Sequence, residues 1–513
     1  MATVPVATAR AYPVGKHGRD PYNVGRPSRT VIAAPPTAAA NLHAGNPDSG
    51  GARTGVDTLS VTSTTTGVQQ VRSGGVLANP ARGLTLSRLG AVAAIGALVL
   101  TGCGTDVDDI TVGSGKGWTT AHNDGRNSGV SPVTGSRKLS LGWSRPVGGP
   151  VEEPLTIGPD GQMFLTTSAP NNCAILSLQM LTGRKRFCNA LGPNAISAPS
   201  VVDSGTNVYV GDDSGVSAFN SIGQPRWRTP VAGVPVSAQF TGDGNILTVT
   251  QSGQIDVLSR QTGERVVSTT QLLGDPDFLE YPDLTRPTSG QGLDDCAIGG
   301  PQCPVANISP IEVSSGRFFV TLWEPGKPIA ALVALRYADN KIQQEWSADL
   351  LTEGSATSPT LSADGQTVYV GDNSKRLIAV DAADGRTKWV QPLDWAPRGG
   401  ISVSSDGLII PSGDDGHLLA LRDNGDAAEI VWERKDLTLR GTPVQTAGDT
   451  GYTAAAIGDG INLITFDTKT GATVDSDALP NAKGTTTGTS IGPKGEVVLA
   501  TRIGEVFVFK PDR

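Results

Sequence analysis

An all-β fold is predicted by three features of this 513-residue chain. Beyond residue 110 the apolar residues come in runs of four to seven, punctuated by turn residues from a pool of 65 Gly and 35 Pro. Sustained helical periodicity is nearly absent there. The third feature is a repeat. The stretch 377–393, LIAVDAADGRTKWVQPL, reads as a strand, a tight turn at Asp384-Gly385 and a second strand carrying Trp389. The same hairpin recurs with Trp346, Trp389 and Trp432 at successive intervals of 43 residues. A fixed period of that size marks one four-stranded blade of a β-propeller.

Eight units can be counted, beginning near Glu153, Ser197, Val236, Asn307, Thr357, Gly399, Gly441 and Thr485. Their outer strands are marked by Phe187, Trp227, Val267, Trp346, Trp389, Trp432 and Val474 in the first seven. The eighth ends at Phe507-Val508-Phe509 without an outer strand, and the isolated strand around Trp143 supplies one. The ring is therefore expected to close by an N-terminal strand joining the last C-terminal blade. Removing an insertion at 273–306 leaves about 42 residues per unit, the length of four strands and their turns. Asp160-Gly161, Asp243-Gly244, Asp364-Gly365 and Asp406-Gly407 sit between first and second strands, where Asp-Gly suits the positive φ of two-residue hairpins. That role, rather than calcium binding, accounts for these aspartates; no EF-hand spacing occurs.

Upstream, residues 1–80 are rich in Ala, Gly, Pro, Ser and Thr and carry no apolar period. They are expected to be disordered, or to lie outside the natural product. Residues 81–103 have the three parts of a secretory signal: Arg82 and Arg88, the apolar run 89–100, then Thr101-Gly102-Cys103. The apolar run is short for a bilayer span. Leu100-Thr101-Gly102-Cys103 resembles the lipobox of bacterial lipoproteins, which implies lipidation of Cys103; a short signal anchor with an incidental cysteine is the alternative. Such a signal normally opens a protein, so translation is expected to start at a non-Met codon such as Val76 or Leu84. Residues 104–117 read as a tether, and 118–513 as the propeller.

The other four cysteines allow three pairings. Cys173 and Cys188 flank the Thr182-Gly183 turn and would lie nearly opposite across one hairpin, while Cys296 and Cys303 close a small loop. Those two pairs are favoured over four free thiols, in keeping with an oxidising compartment. No CxxC occurs, so zinc is not expected.

The period, the eight units, the polar lead-in 123–132 after Trp118, and the pattern Ala379-x-Asp381-x-x-x-Gly385-x-x-x-Trp389 together resemble the PQQ-like repeat propellers. The resemblance covers roughly 118–513. It implies that Trp143, Trp227, Trp346, Trp389 and Trp432 dock onto neighbouring blades and that Ala379 sits where blades crowd. Two branches share that fold. One is quinone-dependent dehydrogenases, which would bind PQQ and Ca²⁺ in the central funnel using adjacent cysteines, an Asp base and Glu/Asn ligands. The other is BamB-like lipoproteins, non-catalytic scaffolds in outer-membrane protein assembly.

This chain has no Cys-Cys pair, no Gly-x-Ser-x-Gly, no phosphate-binding glycine loop and no metal-ligand cluster. Beyond residue 103 its histidines are His122 and His417, the latter read as a surface residue in a turn. No catalytic residue, metal or cofactor is therefore assigned. Residues 1–103 hold nine Lys/Arg and three Asp/Glu, leaving 32 basic and 46 acidic residues in the remainder. An acidic body with no basic run argues against nucleic acid as a partner. The reading is an exported, lipid-anchored, monomeric propeller on the extracytoplasmic face that binds envelope proteins. Its candidate contact surface is the 273–306 insertion, with Phe278, Tyr281, Asp294 and Asp295; a loop that merely covers one propeller end is the equal alternative. The alternative function is a PQQ/Ca²⁺-dependent dehydrogenase or a propeller that binds a small ligand.

Overall fold

A computed structural model of the chain describes residues 117–274 and 292–512. The 1–80 extension, the 81–103 signal with Cys103, nearly all of the tether, and Phe278 and Tyr281 lie outside the described residues.

The architecture is an eight-bladed propeller of four-stranded antiparallel blades. Blades 1 to 7 start with inner strands at Thr156–Ile157, Val201–Val202, Pro235–Phe240, Ile311–Glu312, Thr360–Leu361, Ser402–Val403 and Val444–Ala447. Blade 8 runs from Thr486–Ile491 to Glu505–Pro511, and Leu139–Pro146 pairs antiparallel with that last strand, Trp143 opposite Val508. Second strands such as Gln162–Thr166 and Val208–Asp212, and third strands such as Gly215–Phe219, are buried along their whole length. Each is covered by a blade on either side, which is why these strands are apolar without strict alternation. The outer strands face water on one side. Lys341–Leu351 accordingly alternates between exposed and partly covered positions.

Between blades the packing repeats one device. The indole of Trp143 donates from Nε1 to the Met180 carbonyl of blade 1 at 2.7 Å. Trp227 does the same to Arg260 at 2.9 Å, Trp346 to Ala382 at 3.1 Å and Trp432 to Thr468 at 2.8 Å. Each ring lies on a turn glycine of the next blade: Gly183, Gly263, Gly385 and Gly471, all at positive φ. Trp389 departs from this, donating to the Asp423 carboxylate at 2.7 Å. Phe187, with no N–H, still packs on Gly223. Ala379 is fully buried, and the Asp381 carboxylate accepts from the Ala383 N–H at 2.9 Å, shaping the turn that presents Gly385.

Blade 3 differs from its sequence-based reading. Its outer strand is only Thr270–Gln271, and Val267 is a buried residue of the approach to it. Asp256, fully buried, accepts from Arg265 Nε at 2.7 Å and from Thr269 Oγ1 at 2.6 Å, which turns this segment inward before the insertion begins. Disulfides join Cys173 to Cys188 and Cys296 to Cys303, with Cα separations of 5.4 and 5.1 Å.

Candidate functional site: the central funnel

Inner strands of a propeller turn one open edge toward the axis, and its N–H groups need partners. The lead-in segment supplies them. It winds around the axis and meets the blades nearly in order. Trp118 exchanges backbone bonds with Ile157 of blade 1, and Val202 of blade 2 donates to Thr119. Ile311 of blade 4 donates to Gly125, Leu361 of blade 5 to Arg126, Val403 of blade 6 to Ser128, and Gln445 of blade 7 to Gly129. Val130–Thr134 then pairs in parallel with the inner strand of blade 7. Blade 3 is reached by a side chain: Gln239 Nε2 donates to Asn127 Oδ1 at 2.8 Å.

Two residues hold this plug in shape. The buried Asp124 carboxylate accepts from the N–H groups of Arg126 and Ser128 at 3.0 and 2.9 Å and from Ser128 Oγ at 2.8 Å. Asn127, in the left-handed region at φ 58°, donates to the carbonyls of Ile308 and Pro359 at 2.8 and 2.9 Å. Asparagine tolerates that backbone conformation better than most residues.

On the plug rests the funnel, a cavity of about 140 Å³. The loops that enter the inner strands line it with Glu152, Glu153, Ser197, Asn307, Ser358 and Arg398, joined by Thr487, Arg502 and His122. Part of its wall is the helix Leu293–Ile298 of the insertion, which contributes Leu293, Cys296 and Ala297. That helix is clamped in place. Asn373 Nδ2 donates to the Ile298 and Glu353 carbonyls at 2.6 and 2.7 Å, and Gly299, at φ 64°, lies so close to Ser355 that a Cβ would overlap its carbonyl. Asp294 is exposed on this helix, whereas Asp295 folds back to accept from the Gln302 N–H at 2.8 Å. The described end of the insertion is thus held as part of the funnel wall.

The electrostatics of the funnel are uneven. Withdrawal from water, reinforced by the neighbouring Glu152 carboxylate, pushes Glu153 up to about 8 against a smaller opposing pull from Arg502. Burial pushes the His122 imidazole down to about 4, so it is neutral at pH 7. A carboxyl whose folded pKa lies above its ordinary 4.5 makes the folded state hold a proton that the unfolded state releases. Stability tied to Glu153 is then fully present below pH 4.5 and lost as pH rises through 8. Glu153→Gln should remove that loss: its melting temperature relative to the parent should rise between pH 5 and 8 and level off above. Parallel pH–stability curves for the two proteins would reject this assignment.

None of Glu152, Glu153, Arg398, Arg502 and Thr487 carries a sequence signal of a site residue, and His122 stands out in the sequence only as one of two histidines beyond residue 103. His417 is corrected as well. It already pairs in the strand His417–Asp423, its side chain is 12% exposed, and it lies 2.7 Å from Glu433 and edge-on to Trp395. The Asp415-Gly416 turn is too short to leave it outside the sheet.

Known proteins share this architecture. A family model described as outer membrane protein assembly factor BamB, of the PQQ-repeat type, matches residues 335–508. Protein Rv3035 of Mycobacterium tuberculosis (strain ATCC 25618 / H37Rv) is 35% identical over 417 residues, which span 80% of this chain and all of that protein. The chain belongs to the PQQ-like repeat propeller family.

Solved members show the same fold at low identity. BamB from Moraxella catarrhalis superposes with a TM-score of 0.51 at 17% identity, over 73% of this chain and all of that one. Quinohemoprotein alcohol dehydrogenase from Comamonas testosteroni gives 0.53 at 13% identity, over 78% of this chain and 81% of that one. Both branches of the PQQ-like family are therefore among its structural neighbours, and at these identities the likeness is one of fold alone.

Proposed function

We propose that this propeller is a non-catalytic, lipid-anchored scaffold that binds envelope proteins on the extracytoplasmic face of a cell membrane. The observation that carries this reading is the funnel, which the chain fills from below with its own lead-in segment and walls with the insertion helix. About 140 Å³ remains. A cavity of roughly 150 Å³ holds a molecule the size of benzene, and PQQ, three fused rings bearing three carboxylates, is far larger. Among the described residues no three His, Cys, Asp or Glu side chains converge to hold a metal ion. The residues present do not fit a quinone with its calcium ion, and they support no redox step.

The anchor is assigned to Cys103 on the lipobox resemblance, and the protein acts as a monomer with no nucleic-acid partner. The family model's description names an outer-membrane assembly factor; by that analogy the partners are proteins of envelope assembly. The test is photo-cross-linking in intact cells from a probe at Asp294, followed by mass spectrometry. A short, reproducible set of envelope proteins is the expected capture. Background alone from that position, together with PQQ-dependent dye reduction by the purified protein, would replace this reading with the dehydrogenase one.

A further inference from the structure

The funnel has a second property that a scaffold does not need. Arg398, half-buried in the cavity, and Arg502, at its rim, make no side-chain hydrogen bond or ion pair among the described residues. Most other arginines of the propeller are engaged, as Arg228 is with Asp212 and Arg376 with Asp372. Thr487 lines the same cavity, is only 8% exposed, and its Oγ1 is buried without a partner. The buried hydroxyl is unfavourable without a partner, while the two guanidinium groups are solvated and free to take an anion. A single ligand carrying a carboxylate would give the hydroxyl a partner and engage both cations.

We propose that the funnel binds a small organic carboxylate, no larger than an amino acid, through Arg398 and Arg502 with Thr487 as a further donor. Guanidinium and carboxylate match in plane and spacing, which makes this the group those side chains recognise best. The size limit follows from the 140 Å³ of space. The apolar side of the wall, Val236, Ile308, Ala297 and Ala356, would take a short aliphatic part of the ligand. Glu152 is held by Ser197 Oγ at 3.1 Å and stands at the exposed edge of the cavity, where it could meet an ammonium group. Glu153, with its raised pKa, keeps a proton near neutrality and can donate it in a hydrogen bond rather than repel the anion.

The test is calorimetric titration of the full chain with sodium propionate and with glycine, and with propionamide as the neutral isostere. Saturable binding of at least one of the two carboxylates is expected, with propionamide weaker by tenfold or more. Arg398→Gln and Arg502→Gln should each weaken binding about tenfold, the loss expected for one charge-assisted contact. Arg502 lies at the rim, so R502Q should keep the parent's melting temperature and guards against misfolding as the cause. Thr487→Val should weaken binding several-fold. No saturable binding of either carboxylate overturns the proposal, as does propionamide binding equally well or full affinity in both arginine variants. None of these outcomes bears on whether envelope proteins bind the outer surface.

Discussion

Asn127→Ala is expected to lower the stability of the propeller by about 4 kcal/mol, far more than the loss of one polar side chain in a lead-in segment would suggest. The side chain stands on the axis. It donates to the Ile308 and Pro359 carbonyls and accepts from Gln239, tying blades 3, 4 and 5 to the plug. Truncation leaves two carbonyls and one amide N–H buried without partners, each costing about 1–3 kcal/mol. The left-handed backbone at this position adds a smaller term, because alanine tolerates it less well than asparagine. Water that enters the vacated space would recover part of the loss, which is why the sum is set below the simple total. Urea unfolding followed by tryptophan fluorescence measures the change. Asn127→Asp separates the causes: it keeps the acceptor for Gln239 but gives up both donated bonds and buries a charge. It should be at least as destabilising as alanine. A loss under about 1 kcal/mol in both variants would mean that the plug is not part of the cooperative unit.

The plug and the hairpins differ in how far the sequence reveals them. Trp143, Trp346 and Trp432 donate to carbonyls 37, 36 and 36 residues downstream, so the docking contact repeats with the blade and leaves a visible period. Asn127 meets Gln239, Ile308 and Pro359 at separations of 112, 181 and 232 residues. Those partners become neighbours only when the ring closes, and no local spacing encodes them. The lead-in 123–132 is legible as a family-like segment, but its position on the axis is not. The funnel is hidden for the same reason. Glu153 and Arg502 come from loops and Arg398 from the short strand Arg398–Gly399, far apart in sequence, and each taken alone looks like a solvated surface charge. Blade 3 shows the opposite failure. Val267 fits the apolar pattern of an outer strand, yet Asp256 bends the chain there through Arg265 and Thr269, a side-chain contact within the blade that overrides local propensity.

The hairpin at 377–393 yields the second large effect. Gly385→Ala should cost about 3 kcal/mol through two separable terms. At φ 77° an alanine is strained by about 1 kcal/mol. Its Cβ would also stand 2.7 Å from the Trp346 ring of the preceding blade, closer than real Cβ contacts come. That ring cannot simply back away. Its Nε1 is bonded to the Ala382 carbonyl in the same turn, and the ring also packs at a tilt against Phe319 at 5.8 Å between centroids. Either the blades separate slightly or the indole loses its bond, and both cost packing along the interface between blades 4 and 5. A double-mutant cycle isolates the clash. In a Trp346→Ala background the indole is gone, so Gly385→Ala should retain only the backbone term of about 1 kcal/mol. The coupling between the two positions should then be about 2 kcal/mol, with the double variant more stable than additivity predicts. Strict additivity would show that the glycine is required for its backbone angle alone. The repeated Gly-x-x-x-Trp spacing would then record two independent needs, a turn and an apolar anchor, rather than one contact read twice along the chain.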